Sequence, residues 1–185
     1  MKREYIIGLF AGLICLQIIV PVSMITKRES TLRNGLEFRF KTAPVDPYDA
    51  FRGRYVALRV EVNKVNRPTG MDLKYGQKVF AQLATDENGL AKVSGISLEK
   101  PKRPAYLMAT VLYPEGNEVT LNLPIDRYYM EENAAPRAEQ VYREHSQRNK
   151  QDAYVTVRVM DGFAVVEGLY VGDQRIEDLV RKKNL

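Results

Sequence analysis

A run of twenty mainly apolar residues near the amino terminus, Ile6–Ile25, limits what this chain can become more than any other feature. A helix of that length rises about 30 Å, which matches the hydrocarbon thickness of a bilayer. Two basic residues, Lys2 and Arg3, precede the run. The pattern predicts a membrane-spanning anchor over residues 1–26 and, because the remaining chain suits one hydrophobic core, a single domain over residues 27–185.

A cleaved secretory signal is the alternative interpretation of this run. Signal sequences have shorter apolar cores and end in a small-x-small cleavage site, and no convincing site stands between Val20 and Arg28. We therefore expect the helix to stay attached and to contact membrane lipid directly. The single cysteine, Cys15, lies in the middle of the run, so no internal disulfide is expected.

Basic residues stand on both sides of the run, so the positive-inside rule does not orient it. Lys2 and Arg3 face Lys27, Arg28 and Arg33 across the span. The formal net charge of +5 is mild and fits proximity to anionic lipid headgroups. Nucleic acid is not an expected partner, because the basic residues do not form a stripe interleaved with aromatic side chains.

The residue types that carry most catalytic and metal chemistry are sparse. His145 is the only histidine, and no cysteine or acidic cluster stands beside it at ligand spacing. No Ser-His-Asp set and no phosphate-binding glycine loop is recognisable. The sequence therefore predicts no metal site, no cofactor and no catalytic residue, and it gives no indication of the oligomeric state.

Short segments of alternating apolar and polar residues dominate the chain after the anchor. Two strands with an apolar residue at every second position are predicted over Leu36–Thr42 and Gly53–Val62. Their apolar faces comprise Leu36, Phe38 and Phe40 in the first strand, and Val56, Leu58, Val60 and Val62 in the second. Many short strands with few helices predict a mainly β antiparallel domain, either a sandwich or a partly open barrel.

A β-hairpin and one amphipathic helix are predicted in the last third. Asp161–Gly162 between alternating strands signals a two-residue turn, which pairs Val157 with Val166 and Val159 with Ala164. The helix is predicted over residues 134–149, with a narrow apolar stripe that includes Ala138 and Tyr142. It is the only helix expected outside the anchor, and the charged end of the chain, with Arg181, Lys182 and Lys183, is expected to fray.

A tight corner leads into the Gly53–Val62 strand. Asp46 and Pro47 stand in the order of an N-cap and a first helical position, since a carboxylate accepts from an orphan N–H and proline lacks one. Asp49 lies where the acid of a capping box reaches back. Gly53 ends the turn at a position that favours positive φ. Capping is the simplest explanation of both aspartates.

This corner and strand resemble the GDYXXLXY family, named for its motif. The motif occupies Gly53–Val60 and reads GRYVALRV. The positions that match are Pro44, Asp46, Pro47 and Arg52 in the lead-in, and Gly53, Tyr55 and Leu58 in the motif. Val60 stands where the family has a final tyrosine, and Arg54 where it has an aspartate. If that aspartate is a general acid, this chain lacks the activity. The simpler interpretation is a turn position facing water, where either charge is tolerated.

A second match begins at Ile125 with the letters IDRYY and continues through Glu131, a helix-like segment and the late hairpin. The resemblance thus covers most of the chain beyond the anchor. It implies a bacterial, membrane-anchored domain with no established activity, often encoded beside multi-pass membrane proteins. From the resemblance we expect a single pass through the cytoplasmic membrane, with the carboxy-terminal domain outside the cytoplasm.

The second match and the charge-reversed motif position supply a candidate binding surface. Its residues are Arg54, Asp126, Arg127, Tyr128, Tyr129 and Glu131. Two tyrosines flanked by opposite charges suit a polar groove or a protein contact, because tyrosine offers both an apolar body and a hydroxyl. The simpler interpretation is alternate burial, with one tyrosine in the core and one outside, because consecutive strand residues point to opposite faces.

We expect a non-enzymatic accessory or binding module at the outer face of the cytoplasmic membrane, with a multi-pass membrane protein as its partner. The first alternative is a hydrolase-like extracytoplasmic enzyme with a pocket near Asp126 and Arg127. The second is a sensor of a small ligand or lipid, which a deep apolar pocket in the β domain would favour. No sequence feature identifies the ligand or the substrate.

Overall fold

The computed structural model of the chain describes residues 2–42, 55–61, 64–131, 133–146 and 151–182. Within these residues, three helices and eleven strands form a mainly β domain preceded by a long helix. The helices are α1 (Lys2–Asn34), α2 (Ala135–Ser146) and α3 (Ile176–Lys182). The strands are β1 (Leu36–Lys41), β2 (Tyr55–Ala57), β3 (Lys64–Asn66), β4 (Lys78–Thr85), β5 (Ala91–Ser97), β6 (Tyr106–Glu115), β7 (Glu118–Asn122), β8 (Arg127–Tyr129), β9 (Ala153–Met160), β10 (Phe163–Val171) and β11 (Gln174–Arg175).

The strands form antiparallel sheets that curve round one core. One sheet has the strand order β3-β7-β6-β4-β5, another has the order β1-β9-β10-β11, and β2 pairs with β8. Isolated bridges link the sheets: Thr42 pairs with Val60, and Leu107 in β6 pairs with Gly162 at the tip of the β9–β10 hairpin. The result is nearly closed and barrel-like, which confirms the predicted mainly β architecture.

The core is built from apolar side chains of the sheets and of the two short helices. Its largest fully buried side chains include Phe40, Leu107, Leu121, Ile125, Leu169 and Ile176. Each such burial stabilises the fold by about 1.5–3 kcal/mol. The predicted buried face of β1 is confirmed for Phe38 and Phe40. It is wrong for Leu36, which is 43% exposed because it stands at the end of an edge strand.

The β9–β10 hairpin has the predicted register. Val157 pairs with Val166, and Val159 pairs with Ala164. Asp161 and Gly162 both have positive φ, 50° and 78°, as a two-residue turn with the right twist for a hairpin requires. The turn chemistry and the valine alternation therefore specify this pairing locally.

The long strand predicted over Gly53–Val62 is interrupted. Among the described residues β2 covers only Tyr55–Ala57, after which the Leu58 N–H donates to the Asp126 carbonyl at 2.8 Å. Val60 then bridges to Thr42. Within a few residues the segment thus changes its pairing partner from β8 to the end of β1. The ladder of backbone hydrogen bonds is interrupted, but every second side chain still faces the core. Val56, Leu58 and Val60 are all buried as predicted.

α3 is a second helix after the anchor helix, so the expectation of a single one is wrong. Arg181 and Lys182, which were expected to fray, belong to this helix, and Lys183 lies outside the described residues. α2 forms where predicted and buries Ala138 and Tyr142. α3 buries Ile176 and Val180, and Leu179 packs against the core beside them. Apolar residues at i, i+3 and i+4 form one helical stripe. The charged residues between them conceal that stripe in the sequence.

α1 continues without a break from the apolar run into the domain. Among the described residues, Glu4–Asn34 is the one helix long and apolar enough to cross a membrane. Its last turns pack on β9 and β10, and Thr31 is fully buried there. The boundary expected after residue 26 therefore lies inside a continuous helix, and no loop separates the apolar segment from the domain.

Candidate binding site beside the first helix

Two neighbouring cavities of about 340 Å³ each lie where α1 joins the β domain. They share Pro124 and Ala164 in their walls. Consecutive residues of α1 enter them, with Arg28 lining the first and Lys27 lining the second. We name them the Arg28 cavity and the Lys27 cavity.

The Arg28 cavity brings together four of the six residues predicted as a binding surface. Its walls come from α1, from the connection between β7 and β8, from β8 itself and from the start of β10. The lining residues are Arg28, Pro124, Asp126, Arg127, Tyr128, Tyr129, Ala164, Val165 and Val166. The structure therefore places a cavity beside Asp126 and Arg127, and the other wall of that cavity is the end of the first helix.

The remaining predicted site residues do not line this cavity or cannot be placed. The Glu131 side chain is exposed, and its carbonyl accepts from the N–H groups of Ala134 and Ala135 as α2 begins. Leu58 and Val60 are core residues, and Tyr55 is paired through its backbone with Tyr129. The other predicted positions, Pro44, Asp46, Pro47, Arg52, Gly53 and Arg54, lie outside the described residues, as do Asp49 and Val62.

The two adjacent tyrosines have opposite environments, which confirms alternate burial. Tyr128 is 6% exposed and Tyr129 is 58% exposed. The Tyr128 hydroxyl donates to Oε1 of Glu177 in α3. Burial, followed by this bond to a carboxylate, raises the pKa of Tyr128 to about 12. Tyr128 therefore fixes β8 to α3, while Tyr129 presents its ring at the surface of the cavity.

The acidic groups at the two cavities already have cationic partners. The Asp126 carboxylate lies 3.2 Å from Nε of Arg127, and the Asp161 carboxylate lies 3.6 Å from Nζ of Lys100. Among the described residues, no acidic side chain lies within 4.0 Å of the charged groups of Lys27, Arg28 or Lys78. The described part of the joint between helix and domain is therefore cationic.

The Lys27 cavity combines this positive charge with an apolar wall. Nζ of Lys27 lies 4.6 Å from the centre of the Phe163 ring, a distance at which the ring face attracts a cation. Met108 forms another part of the wall and is 44% exposed. Lys78 enters from β4, where it pairs with Thr110 of β6. This mixture suits a ligand that is anionic at one end and apolar at the other.

The end of α1, just after Lys27 and Arg28, packs on β9, where Thr31 is fully buried. The Thr31 hydroxyl donates to the Lys27 carbonyl at 2.9 Å, and the Gly35 N–H donates to the Thr31 carbonyl at 2.9 Å. A Cβ atom at position 35 would lie 2.4 Å from that carbonyl oxygen. A glycine at position 35 therefore lets the chain pass from α1 into β1 while α1 stays packed on β9.

The histidine stands apart from both cavities. Nδ1 of His145, in the last turn of α2, lies 2.9 Å from the Asp152 carboxylate. Neither residue lines the Arg28 or the Lys27 cavity. Within the described part of the chain, no group of three His, Cys, Asp or Glu side chains is placed to hold a metal ion. The imidazole and Asp126 are thus not assembled into one site.

The fold and the cavities define a class of protein: a barrel-like β domain continuous with a helix that is long and apolar enough to cross a membrane, with a cationic site at the joint. The chain belongs to the GDYXXLXY protein family, which it matches over residues 17–169. That range includes every residue lining the two cavities and confirms the family predicted from the motif. No curated protein and no solved structure matches the chain.

Sequence reasoning missed the half of the site that α1 and the β9–β10 hairpin supply. Lys27 and Arg28 stand as a basic pair after the apolar run, a pattern that bears on membrane orientation but does not indicate a cavity. Phe163 and Met108 follow the alternation of ordinary strands, and nothing in their spacing indicates a shared cavity. The bridge between Leu107 and Gly162 places β6 beside the β9–β10 hairpin, on which α1 packs.

Proposed function

We propose that this chain is a non-enzymatic binding module, anchored at the outer face of the cytoplasmic membrane, which contacts a multi-pass membrane protein. One observation carries the proposal: Asp126, Arg127 and Tyr129 share a cavity with Arg28, three residues after the apolar run ends. Three residues of helix rise about 4.5 Å. A partner in the same membrane would therefore meet this surface without leaving the bilayer.

The continuous helix gives the Arg28 cavity a fixed position relative to the membrane span. Because α1 passes directly into packed turns on β9 and β10, the cavity is held at one height and one rotation relative to the span. A surface so held loses less conformational freedom when it binds a neighbour in the membrane. The orientation in this proposal comes from the family resemblance, since basic residues flank both ends of the apolar run.

The side chains at the cavity suit a protein contact. Tyrosine and arginine are enriched at interfaces, because each offers a broad face together with hydrogen-bonding groups. Tyr129 is exposed, and the Asp126–Arg127 pair beside it supplies one charge of each sign. Arg28 adds a further cation to the lining of the same cavity. A partner segment with one acidic and one aromatic or apolar side chain would complement this surface.

Site-specific photocrosslinking in intact membranes tests the proposal. A photoreactive residue at Tyr129 should give a discrete adduct with a multi-pass membrane protein. Tyr113 is the matched control, because it is 59% exposed and lines neither cavity. Adducts of equal yield from both positions, or recovery of the chain alone from several mild detergents, would refute a specific partner at this surface.

The hydrolase alternative is favoured by one observation, that the Asp126 carboxylate lies in a cavity with the guanidinium groups of Arg127 and Arg28. Such groups can bind an anionic substrate or stabilise developing negative charge. The test is a broad substrate panel with the full chain and with Asp126→Asn. Turnover that disappears in the variant would replace the binding proposal with an enzymatic one.

A further inference from the structure

We propose that the Lys27 cavity binds the headgroup phosphate of an anionic phospholipid, drawn from the leaflet in which α1 ends. This inference rests on the membrane anchoring in the proposed function, but it does not depend on a protein partner. It assigns a ligand class to the second cavity, which contains none of Asp126, Arg127 and Tyr129.

The depth of the cavity favours a lipid over a soluble ligand. Lys27 follows the last residue of the apolar run, Ile25, by two positions, a helical rise of about 3 Å. The headgroup layer on each side of the hydrocarbon core is roughly 5–7 Å thick. Lys27 therefore stands at the level of the lipid phosphates. The packing of Thr31 and Gly35 against β9 keeps the cavity at that level.

The chemistry of the walls matches the two ends of a phospholipid. Lys27 and Lys78 supply two ammonium groups, which bind phosphate as point charges. Phe163 and Met108 supply an apolar surface beside them, as the glycerol and the first acyl carbons of a lipid require. A soluble anion would neutralise the lysines but would leave that apolar surface facing the headgroup layer.

The surroundings of the cavity add positive charge on the same side of the domain. Asp161 at the hairpin tip lines the cavity itself, and its carboxylate lies 3.6 Å from Lys100, a cationic partner that does not line the cavity. Lys100 belongs to the loop between β5 and β6, whose residues 98–104 include three basic side chains and one acidic side chain. Lys102 and Arg103 in this loop are exposed. Each basic residue close to an anionic surface strengthens membrane binding by about fivefold.

The test uses the full chain in nanodiscs that contain phosphatidylcholine with phosphatidylglycerol. Native mass spectrometry and a photoactivatable phosphatidylglycerol report which lipid stays with the protein and which residues it touches. We expect phosphatidylglycerol to be retained in preference to phosphatidylcholine and to crosslink near Phe163 and Met108. We expect the double variant Lys27→Gln/Lys78→Gln to lower that preference about tenfold or more, because two basic contacts are lost.

The matched control is Lys64→Gln/Lys92→Gln, which removes the same charge from exposed lysines that line neither cavity. An equal loss in the control would overturn the proposal in favour of general surface charge. If the cavity double variant does not fold, Met108→Glu supplies a second test, because it places a negative charge on an already exposed wall position. Unchanged lipid retention in Met108→Glu would also overturn the proposal.

The remaining outcomes distinguish lipid binding in the Lys27 cavity from the membrane anchoring on which it rests and from binding of other ligands. Full competition by inorganic phosphate or glycerol phosphate would overturn it in favour of a soluble anion. Insertion without any preference between the two lipids would overturn it and leave the anchoring intact. A chain that does not enter nanodiscs at all would overturn the proposed function as well. If the Lys27→Gln/Lys78→Gln variant retains lipid as the wild type does but no longer binds an acidic protein, the ligand of the cavity is that protein and not a lipid.

Discussion

The Tyr128 hydroxyl donates a hydrogen bond to a carboxylate oxygen of Glu177, which joins β8 to α3 across 49 residues of sequence. The second oxygen of Glu177 is buried and has no hydrogen-bond partner in the described part of the chain, although Nε of Arg175 lies 3.8 Å away. β8 also carries Arg127 and Tyr129 in the Arg28 cavity. The contact with Glu177 therefore ties the position of that cavity wall to the carboxy-terminal helix.

Removing the Tyr128 hydroxyl should destabilise the domain. Tyr128→Phe is expected to lower the free energy of unfolding by about 1–3 kcal/mol at neutral pH, because a hydrogen bond to a charged group is lost and Oε1 of Glu177 is left without this donor. Denaturant unfolding of the full chain in detergent, followed by circular dichroism, measures this. The same stability in variant and wild type would show that water replaces the bond.

The same residue predicts an alkaline loss of stability. The folded pKa of Tyr128, about 12, lies above its ordinary value of about 10, so the protonated phenol favours the folded state. Its contribution is complete below pH ~10 and is lost as the pH rises from ~10 to ~12. The wild type should lose stability over that window more steeply than Tyr128→Phe. Burial also raises the pKa of Tyr142 and Tyr154, so the variant keeps a smaller slope. Parallel profiles of stability against pH would contradict the assignment.

Gly35→Ala should loosen the joint between the helix and the domain. The new Cβ would lie 2.4 Å from the Thr31 carbonyl oxygen and 3.1 Å from the Val159 nitrogen, so the backbone must shift. We expect a loss of about 1–3 kcal/mol in the free energy of unfolding. Gly95→Ala is the control, since its Cβ would meet no atom within 4 Å. Thermal unfolding in detergent should separate the two variants, and equal melting temperatures would refute the steric argument.

Gly162→Ala should cost more than an alanine at another turn glycine of the same conformation. Gly162 and Gly89 have φ of 78° and 77°, so both substitutions carry a left-handed strain of about 1–2 kcal/mol. Only at position 162 would the new Cβ meet a side chain, the Tyr106 ring at 2.8 Å. Denaturant unfolding should show Gly162→Ala to be the less stable by about 1–3 kcal/mol. Equal losses would mean that the Tyr106 ring moves aside without cost.

Arg158 should not be replaceable by lysine. Its guanidinium lies 2.8 Å from Glu167 and 2.9 Å from Glu37, and it donates to the Gly35 carbonyl at 3.4 Å. A lysine ammonium lacks the planar fork that serves acceptors on three segments at once. Arg158→Lys is expected to lower the free energy of unfolding by about 1–2 kcal/mol.

Arg39→Lys is the control for this substitution, because Arg39 is exposed and lies 3.6 Å from Glu37. We expect it to change the free energy of unfolding by less than about 0.5 kcal/mol. A double-mutant cycle with Glu167→Gln would assign the coupling energy to the shorter contact of Arg158. Additive losses in that cycle would show that the two side chains act independently.

The features predicted correctly from sequence depend on residues close to one another in the chain. The Asp161–Gly162 turn and the valine alternation correctly predicted the pairs Val157–Val166 and Val159–Ala164, up to the bulge between Val166 and Gly168. The spacing of Ala138 and Tyr142 gave the buried face of α2. Periodicity and turn chemistry act through local sterics, so a single sequence suffices to read them.

The predictions were wrong for segments whose pairing partners are distant in the chain and for a helix whose apolar pattern is too short to recognise. The strand after Gly53 leaves β8 for β1, because Leu58 finds the Asp126 carbonyl and Val60 finds Thr42. The stripe of α3 covers only seven residues and alternates with charges. No pattern in the neighbouring residues indicates that this strand changes its pairing partner. The polar residues around Ile176 likewise conceal that its side chain is buried.

By itself, the sequence determined the apolar helix, the alternation of the strands, the late hairpin and the family, because each is encoded in neighbouring residues. Only the tertiary structure decided that Lys27 and Arg28 face two cavities whose other walls come from residues 78–166. The physical reason is that a cavity is formed by loops and strand ends brought together by the whole core. No pairwise spacing along the chain records which of these segments meet.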